Sequence, residues 1–343
     1  TIALRVELGE TEEGWLLTAG ALKLLVRPDG RVTYISGEEI IREDAPPVFR
    51  DPAWSHQAPL ASEAGIYGLG EQTRFNLRPG NYHLWNRDPS GSYGPGDNPI
   101  YLNAPVYFCQ QTVGSYLFFY ENSFEALAGF GDFAHFHFSG GALRFYFIEG
   151  QLPIALDEFT RVVGRSPLPP RWALGFHHCR WGYRTADKVR EVLDGFREHN
   201  LPLDVFHFDI DYMDEYRVFT VDPERYPSFD TLVEEMARDG IKSVIILDPG
   251  VKIDNEYGVY TSGLDGDHFC KLPDGSILRG LVWPGWVHFP DFTRPETRRW
   301  WGEYYKRFLE DVIAGFWHDM NQQASFTSSG ENTLPKATTH SFE

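Results

Sequence analysis

The stretch ADKVREVLDGFREHNLPLDVFHFDID, Ala186 to Asp211, decides the fold. Its first part, Ala186 to His199, places Val189, Val192, Leu193 and Phe196 on one helical face. The run Leu203 to Asp209 is short and apolar and reads as a buried strand. The alternation continues on both sides. Ala173 to His178 reads as a strand before the helix. Phe229 to Asp239 reads as the next helix, with Leu232 and Met236 facing inward, and Ile241 to Leu247 (IKSVIIL) as a further buried strand. Arg294 to Ile313 is expected to be helical, with an apolar stripe of Trp300, Tyr304, Phe308, Leu309 and Val312. Pro295 stands near its start, where a missing N–H costs little. Ala314 to Trp317 reads as a fourth strand.

Strands and helices in this order imply a parallel sheet with right-handed crossovers. A doubly wound sheet and a (β/α)8 barrel both satisfy the pattern. The first would carry a Gly-rich first turn, yet Cys179-Arg180-Trp181-Gly182-Tyr183 follows the first strand and holds no GxGxxG. A whole barrel needs about 250 residues, whereas Ser166 to Glu343 supplies four strands. The expectation is the first half of a (β/α)8 TIM barrel over 166–343, with an aromatic, Gly-rich insertion at about 249–293. Half a barrel leaves two sheet edges bare, which favours association with a second copy or a complementing barrel half.

Upstream, the cluster Ser166-Pro167-Leu168-Pro169-Pro170 marks a boundary. Before it, short apolar or alternating runs recur at Gly14–Thr18, Ala21–Val26, Arg31–Ile35, Val106–Phe108, Tyr116–Tyr120 and Ala142–Ile148. Turn residues such as Pro28-Asp29-Gly30 separate them, which predicts an N-terminal antiparallel β-sandwich over 1–165. Asn86 to Pro99 (NRDPSGSYGPGDNP) reads as a long exposed loop, the kind of segment that carries function on a rigid scaffold.

Composition narrows the function. Among 343 residues, 49 acidic against 31 basic side chains give a net charge of −18, which disfavours a nucleic-acid partner. The longest apolar runs, Tyr116 to Tyr120 and Val244 to Leu247, fall far short of the ~20 residues of a membrane span. The N-terminus has no signal-peptide core, so a cytoplasmic location is the expectation. Three separated cysteines give no disulfide framework, and no CxxC or HExxH spacing suggests a metal. No cofactor is expected.

In a barrel, functional side chains sit at the carboxyl ends of strands. Here those ends read His178, Arg180 and Trp181; Asp209, Asp211 and Asp214; Asp248; and Trp317, His318, Asp319 and Met320. Carboxylates close three of the four strands and tryptophans accompany two. That combination suits glycoside hydrolysis, which needs a carboxylate at the anomeric carbon and an acid at the leaving oxygen. Each aspartate taken alone also fits a helix cap in a βα loop. The Asp209–Asp214 run lacks the Gly and terminal Glu of a calcium loop.

Several stretches are similar to glycoside hydrolase family 31, the α-glucosidase and α-xylosidase family. They are YGLGEQ (Tyr67 to Gln72), WNRD (Trp85 to Asp88), PPRWALGFHHCRWGYR (Pro169 to Arg184), LDVFHFDIDYMDEYRVFTVDPERYP (Leu203 to Pro227), KSVIILDPGV (Lys242 to Val251), WPGWVHFPDFT (Trp283 to Thr293) and GFWHDMNQQASF (Gly315 to Phe326). They run in collinear order over most of the chain. The resemblance implies a β-sandwich followed by a barrel with an insertion after its third strand. It implies hydrolysis of terminal α-glycosidic bonds with retention, through a covalent glycosyl-enzyme. Asp319 then matches the nucleophile and Asp209 the carboxylate that holds sugar hydroxyls. Ile210, Ile246, Trp181, Trp317 and Met320 match subsite walls, Trp286 a neighbour of the same cleft, and Asp88 a residue that reaches toward the leaving sugar. An oligosaccharide or other α-glycoside is the implied partner.

Two departures stand out. The family reads W-N-D-M-N-E-P where this chain has His318 in place of Asn and Gln322-Gln323 in place of Glu-Pro. The family's acid/base Asp, a sugar-binding Arg and a late His lie on later barrel strands, and no residue of this chain matches them. An alternative reading is therefore a non-catalytic carbohydrate-binding or regulatory protein derived from the same fold.

Overall fold

The computed structural model describes residues 6–89, 93–310, 313–321 and 324–326. The chain divides into two compact units, Thr1–Ser166 and Pro167–Glu343. Gln322 and Gln323 lie outside the described residues.

The first unit is built from three antiparallel sheets. One is a meander of Glu7–Thr11, Gly14–Ala19, Leu22–Val26, Val32–Ser36 and Glu39–Asp44. A four-stranded sheet runs Phe145–Glu149, Tyr116–Tyr120, Asn103–Gln110, Gly65–Gly70, and a five-stranded sheet runs Val48–Arg50, Ala53–Pro59, Phe133–Phe138, Ala126–Phe130, Gly80–Leu84. The alternation of Phe133–Phe138 shows how the core is filled: Ala134, Phe136 and Phe138 are buried while Phe133 and His135 face out. Trp54, Tyr107, Phe118, Tyr120, Phe130 and Phe136 form the aromatic centre. Arg42 is buried among them. Its guanidinium donates to Asp44 Oδ1 at 2.6 Å, to the Tyr107 hydroxyl at 2.7 Å and to the Tyr116 hydroxyl at 3.0 Å. Asp44 Oδ2 accepts from the Tyr34 hydroxyl at 2.8 Å and lies 3.3 Å from His56 Nε2.

The second unit carries a parallel four-stranded sheet in chain order: His177–His178, Val205–Phe208, Lys242–Ile246, Gly315–Trp317. The helices Ala186–Glu198, Phe229–Arg238 and Pro295–Glu310 provide the crossovers. The Thr185 hydroxyl caps the first of these, accepting from Lys188 N–H at 3.2 Å, and Val189 and Leu193, one turn apart, are its buried face. The first strand is shorter than its apolar run predicts. Arg171–Leu174 forms a single 3-10 turn, its Ala173 N–H bonded to Pro170 O, and only His177 and His178 enter the ladder. The strand has one neighbour, and the proline cluster favours a turn before it.

After the third strand the chain leaves the barrel. Val251–Lys252, Gly285–His288 and Arg279–Val282 form a small antiparallel sheet, with the helix Gly258–Asp265 beside it. This insertion has its own apolar centre of Cys270, Leu278, Val282, Val287 and Phe289. Two residues that follow the fourth barrel strand, Met320 and Ala324, belong to the same centre.

Candidate active site

The register of the parallel sheet places the strand-end residues. Phe208 pairs with Ile245 and Ile245 with Phe316, while Ile246 pairs with Trp317. Residues opposite one another in a parallel sheet point to the same face. Asp209, one step past Phe208, therefore falls on the rung of Ile246 and Trp317. The Leu247 N–H still donates to Trp317 O at 2.8 Å, so the ladder continues past the end of the third strand. Two residues further on, Asp248 and Asp319 share the next rung on that face.

The electrostatics of these carboxylates agree with that placement. Burial raises the Asp209 carboxyl above its ordinary value; the Ile210 N–H opposes this, and the charges of Asp211 and Asp319 add to it. Asp248 is pushed up to about 7, first by burial, then by Asp319 and then by Asp209. The charge of Asp319 thus acts on Asp209 and Asp248, and that of Asp209 on Asp248, as like charges at the ends of neighbouring strands do. Each of the outer two is also held locally. Asp209 Oδ1 accepts from Ile210 N–H at 2.7 Å and Asp319 Oδ1 from Met320 N–H at 2.8 Å. The capping and functional readings of these aspartates are compatible, because the bond to the next N–H uses one oxygen and fixes the other.

Asp319 itself is exposed, as a residue that must reach a substrate needs to be. Met320, beside it, has φ +55, a left-handed backbone that a side chain with a Cβ rarely adopts. Packing holds it there, since Met320 is buried in the insertion's apolar centre. The loop is stitched to the insertion strand twice more. Leu281 N–H donates to Ser325 Oγ at 3.1 Å, and Phe326 N–H donates to Leu281 O at 2.7 Å. The insertion is therefore a brace for the segment that carries Asp319.

The aromatic residues fall into two groups. Trp181 is exposed and packs against Trp283 at 5.8 Å between centroids, and Trp283 meets Phe326 edge-on at 5.0 Å. Trp317 is half-buried, its ring edge-on to His207. Trp286 is exposed on its strand with the Arg279 guanidinium 4.9 Å from its ring centroid. Trp283 is the residue that sequence reasoning passed over. The WPGW stretch offers two tryptophans, and only the packing on Trp181 distinguishes them. Ile210 and Ile246 are buried in the barrel's apolar core, so Ile246 supplies a floor on the Asp209–Trp317 rung and no open wall. Asp88 belongs to the sandwich unit, half-buried on the 86–99 loop. His318 bonds to the Tyr305 hydroxyl at 2.7 Å through Nε2, and burial lowers its pKa.

Residues 166–342 match the "Glycosyl hydrolases family 31 TIM-barrel domain" and residues 8–127 match the "Glycosyl hydrolase 31 N-terminal galactose mutarotase-like domain". The chain belongs to glycoside hydrolase family 31. It is 39% identical to alpha-glucosidase 2 of Bacillus thermoamyloliquefaciens, over 77% of this chain and 34% of that protein. It is 36% identical to alpha-xylosidase 1 of Arabidopsis thaliana, over 84% of this chain and 33% of that protein. A solved family 31 alpha-glucosidase from Bacteroides thetaiotaomicron superposes with a TM-score of 0.72 at 32% identity, over 81% of this chain and 48% of that one. A family 31 dextranase from Flavobacterium johnsoniae, solved with glucose, shares the fold with a TM-score of 0.88 at 24% identity, over 98% of this chain and 42% of that one. This family 31 chain thus spans about a third of the length of the curated relatives it matches. Its architecture is a galactose-mutarotase-like β-sandwich followed by a partial family 31 barrel.

Proposed function

We propose that this chain carries the nucleophile side of a retaining α-glycosidase site that acts on terminal α-glycosides of the glucoside type. Asp319 attacks the anomeric carbon and forms the glycosyl-enzyme, while Asp209 accepts hydrogen bonds from hydroxyls of the same sugar. Trp181, Trp317 and Met320 flank the ring, Ile210 and Ile246 close the apolar floor, and Trp286 borders the cleft. The observation that supports this reading best is the convergence of Asp209, Asp248 and Asp319 at the ends of three adjacent parallel strands, where the Asp319 charge acts on the other two. A hollow ringed by carboxylates favours developing positive charge, the electronic character of a glycosyl transition state. The acid that protonates the leaving oxygen is typically worth ~10²–10⁴-fold, and none of the residues placed here is assigned to that role. A leaving group that needs no proton bypasses it. Incubation with a 5-fluoro-glycosyl fluoride followed by peptide mass spectrometry should place the adduct on Asp319. An adduct on another carboxylate would remove Asp319 from the nucleophile's role.

A further inference from the structure

Asp248 ends the third barrel strand, and neither the motif resemblance nor its register gives it a role. It is 6% exposed, and its Oδ1 has no hydrogen-bond partner among the described residues. A carboxyl in that state is expensive, because a buried polar group left without a partner bears the whole cost of its lost hydration, and more so when charged. The groups whose charges act most strongly on it are Asp319 from the fourth strand and Asp209 from the second, and both are negative. Tyr212, in the turn after the second strand, also feels its charge, but the Tyr212 hydroxyl is engaged with Ile246 O at 2.9 Å. A fold seeking stability alone would place an apolar residue here, as it does at Ile245, Ile246 and Leu247 just before it, all buried.

Continuing the register of Ile246 with Trp317 by two residues puts Asp248 on the rung and face of Asp319. A sugar ring brought to Asp319 presents hydroxyls within a few ångströms of its anomeric carbon. A hydroxyl is donor and acceptor at once, and a protonated carboxyl has the matching pair of functions on its two oxygens. We propose that Asp248 is a substrate-holding residue, its carboxyl taking a hydroxyl of the sugar whose anomeric carbon faces Asp319. The inference rests on the glycosidase reading of this site and adds a second hydroxyl-binding carboxyl, at the end of the third strand between those that carry Asp209 and Asp319. It also explains why the site tolerates three carboxyls together. Asp248 joins the hydrogen-bonding set as the neutral member, so that the hollow need not hold three full negative charges.

The test is an NMR titration of this chain with D-glucose and with glucose analogues that each lack one hydroxyl, run on wild type, Asp248→Ala, Asp248→Asn, Asp209→Ala and Asp319→Asn. For wild type, removal of one particular hydroxyl should weaken binding about 10-fold, the scale of one buried hydrogen bond. Asp248→Ala should bind glucose about 10-fold more weakly and no longer discriminate against that one analogue. Asp248→Asn, which retains a donor and an acceptor, should restore most of the discrimination. A merely structural residue would weaken every analogue alike and would not be rescued selectively. If Asp248→Ala keeps the wild-type pattern while Asp209→Ala or Asp319→Asn changes it, the Asp248 inference falls and the glycosidase reading stands. If wild type does not bind glucose, or if none of the three aspartates affects binding, the glycosidase reading of the hollow falls and the inference with it.

Discussion

Replacing Asp248 by Asn should stabilise the barrel unit, and by an amount that depends on pH in one direction only. A carboxyl that titrates near 3.9 in an unfolded chain and at about 7 in the folded one binds its proton more tightly by about three units, or roughly 4 kcal/mol. Below about pH 4 the group is protonated in both states and contributes no pH dependence. Between about pH 4 and pH 7 the folded protein holds a proton that the unfolded chain has lost, so raising the pH favours unfolding. Above about pH 7 the whole penalty is present. Asn cannot ionise and escapes it. The difference in unfolding free energy between Asp248→Asn and wild type should therefore grow by on the order of 4 kcal/mol from about pH 4 to about pH 8. For a unit of this size that corresponds to roughly 8–16 °C in melting temperature. Asp209 is raised in the same direction, but it is present in both proteins and largely cancels in the difference. Urea titrations followed by tryptophan fluorescence suit the purpose, because seven of the ten tryptophans lie after Ser166 and report the barrel unit. A stability difference that does not change with pH would refute the reasoning, since it would mean that Asp248 ionises as freely in the folded protein as in the unfolded chain.

Other consequences are equally direct. Arg42→Met should destabilise the sandwich unit by about 3–5 kcal/mol, because it strands the buried Asp44 charge, and Asp44→Leu in the same chain should recover most of that loss; two equal, additive losses in thermal melts would contradict the pairing. Burial alone would raise Asp44, but Arg42, His56 and Tyr34 together outweigh it and lower it. The stability that Asp44 contributes is therefore present above the ordinary carboxylate range and lost as pH drops through its depressed folded value, a trend that Arg42→Met should blunt in acid titrations. Thr185→Ala should cost about 1 kcal/mol through the lost helix cap, read from denaturant midpoints of the barrel unit. Ser325→Ala, which frees Leu281 N–H, should slow adduct formation on Asp319 in the fluoro-sugar experiment while leaving the glucose affinity set by Asp209 nearly unchanged.

Much of the architecture was legible because it rests on local periodicity. The helix at Ala186–Glu198 shows its buried face as Val189 and Leu193, and the strand Lys242–Ile246 leads into the unbroken apolar run Val244–Leu247. Prolines after Ser166 fall where the chain divides. Strands such as Gly65–Gly70 and Gly80–Leu84 escaped notice, because their glycines and mixed polarity carry no alternation that survives without the neighbouring strand. The insertion's sheet was likewise hidden, its strands being two to four residues long.

The amino-acid order alone settled which residue types stand at the end of each barrel strand, because a strand's end is marked by its own apolar run and the turn that follows. It also settled the family, through motifs too long and too well ordered to be a local accident. What only tertiary structure decided was which of those residues act on one another. Asp209, Asp248 and Asp319 are separated by 39 and 71 positions in sequence, and parallel register alone brings them to one face within reach of each other's charge. The choice of Trp283 over Trp286 as the partner of Trp181, and the bracing of Met320 by the insertion, have the same origin. Local sequence sets the direction a side chain leaves the backbone, but proximity between distant segments comes from how the sheet stacks them.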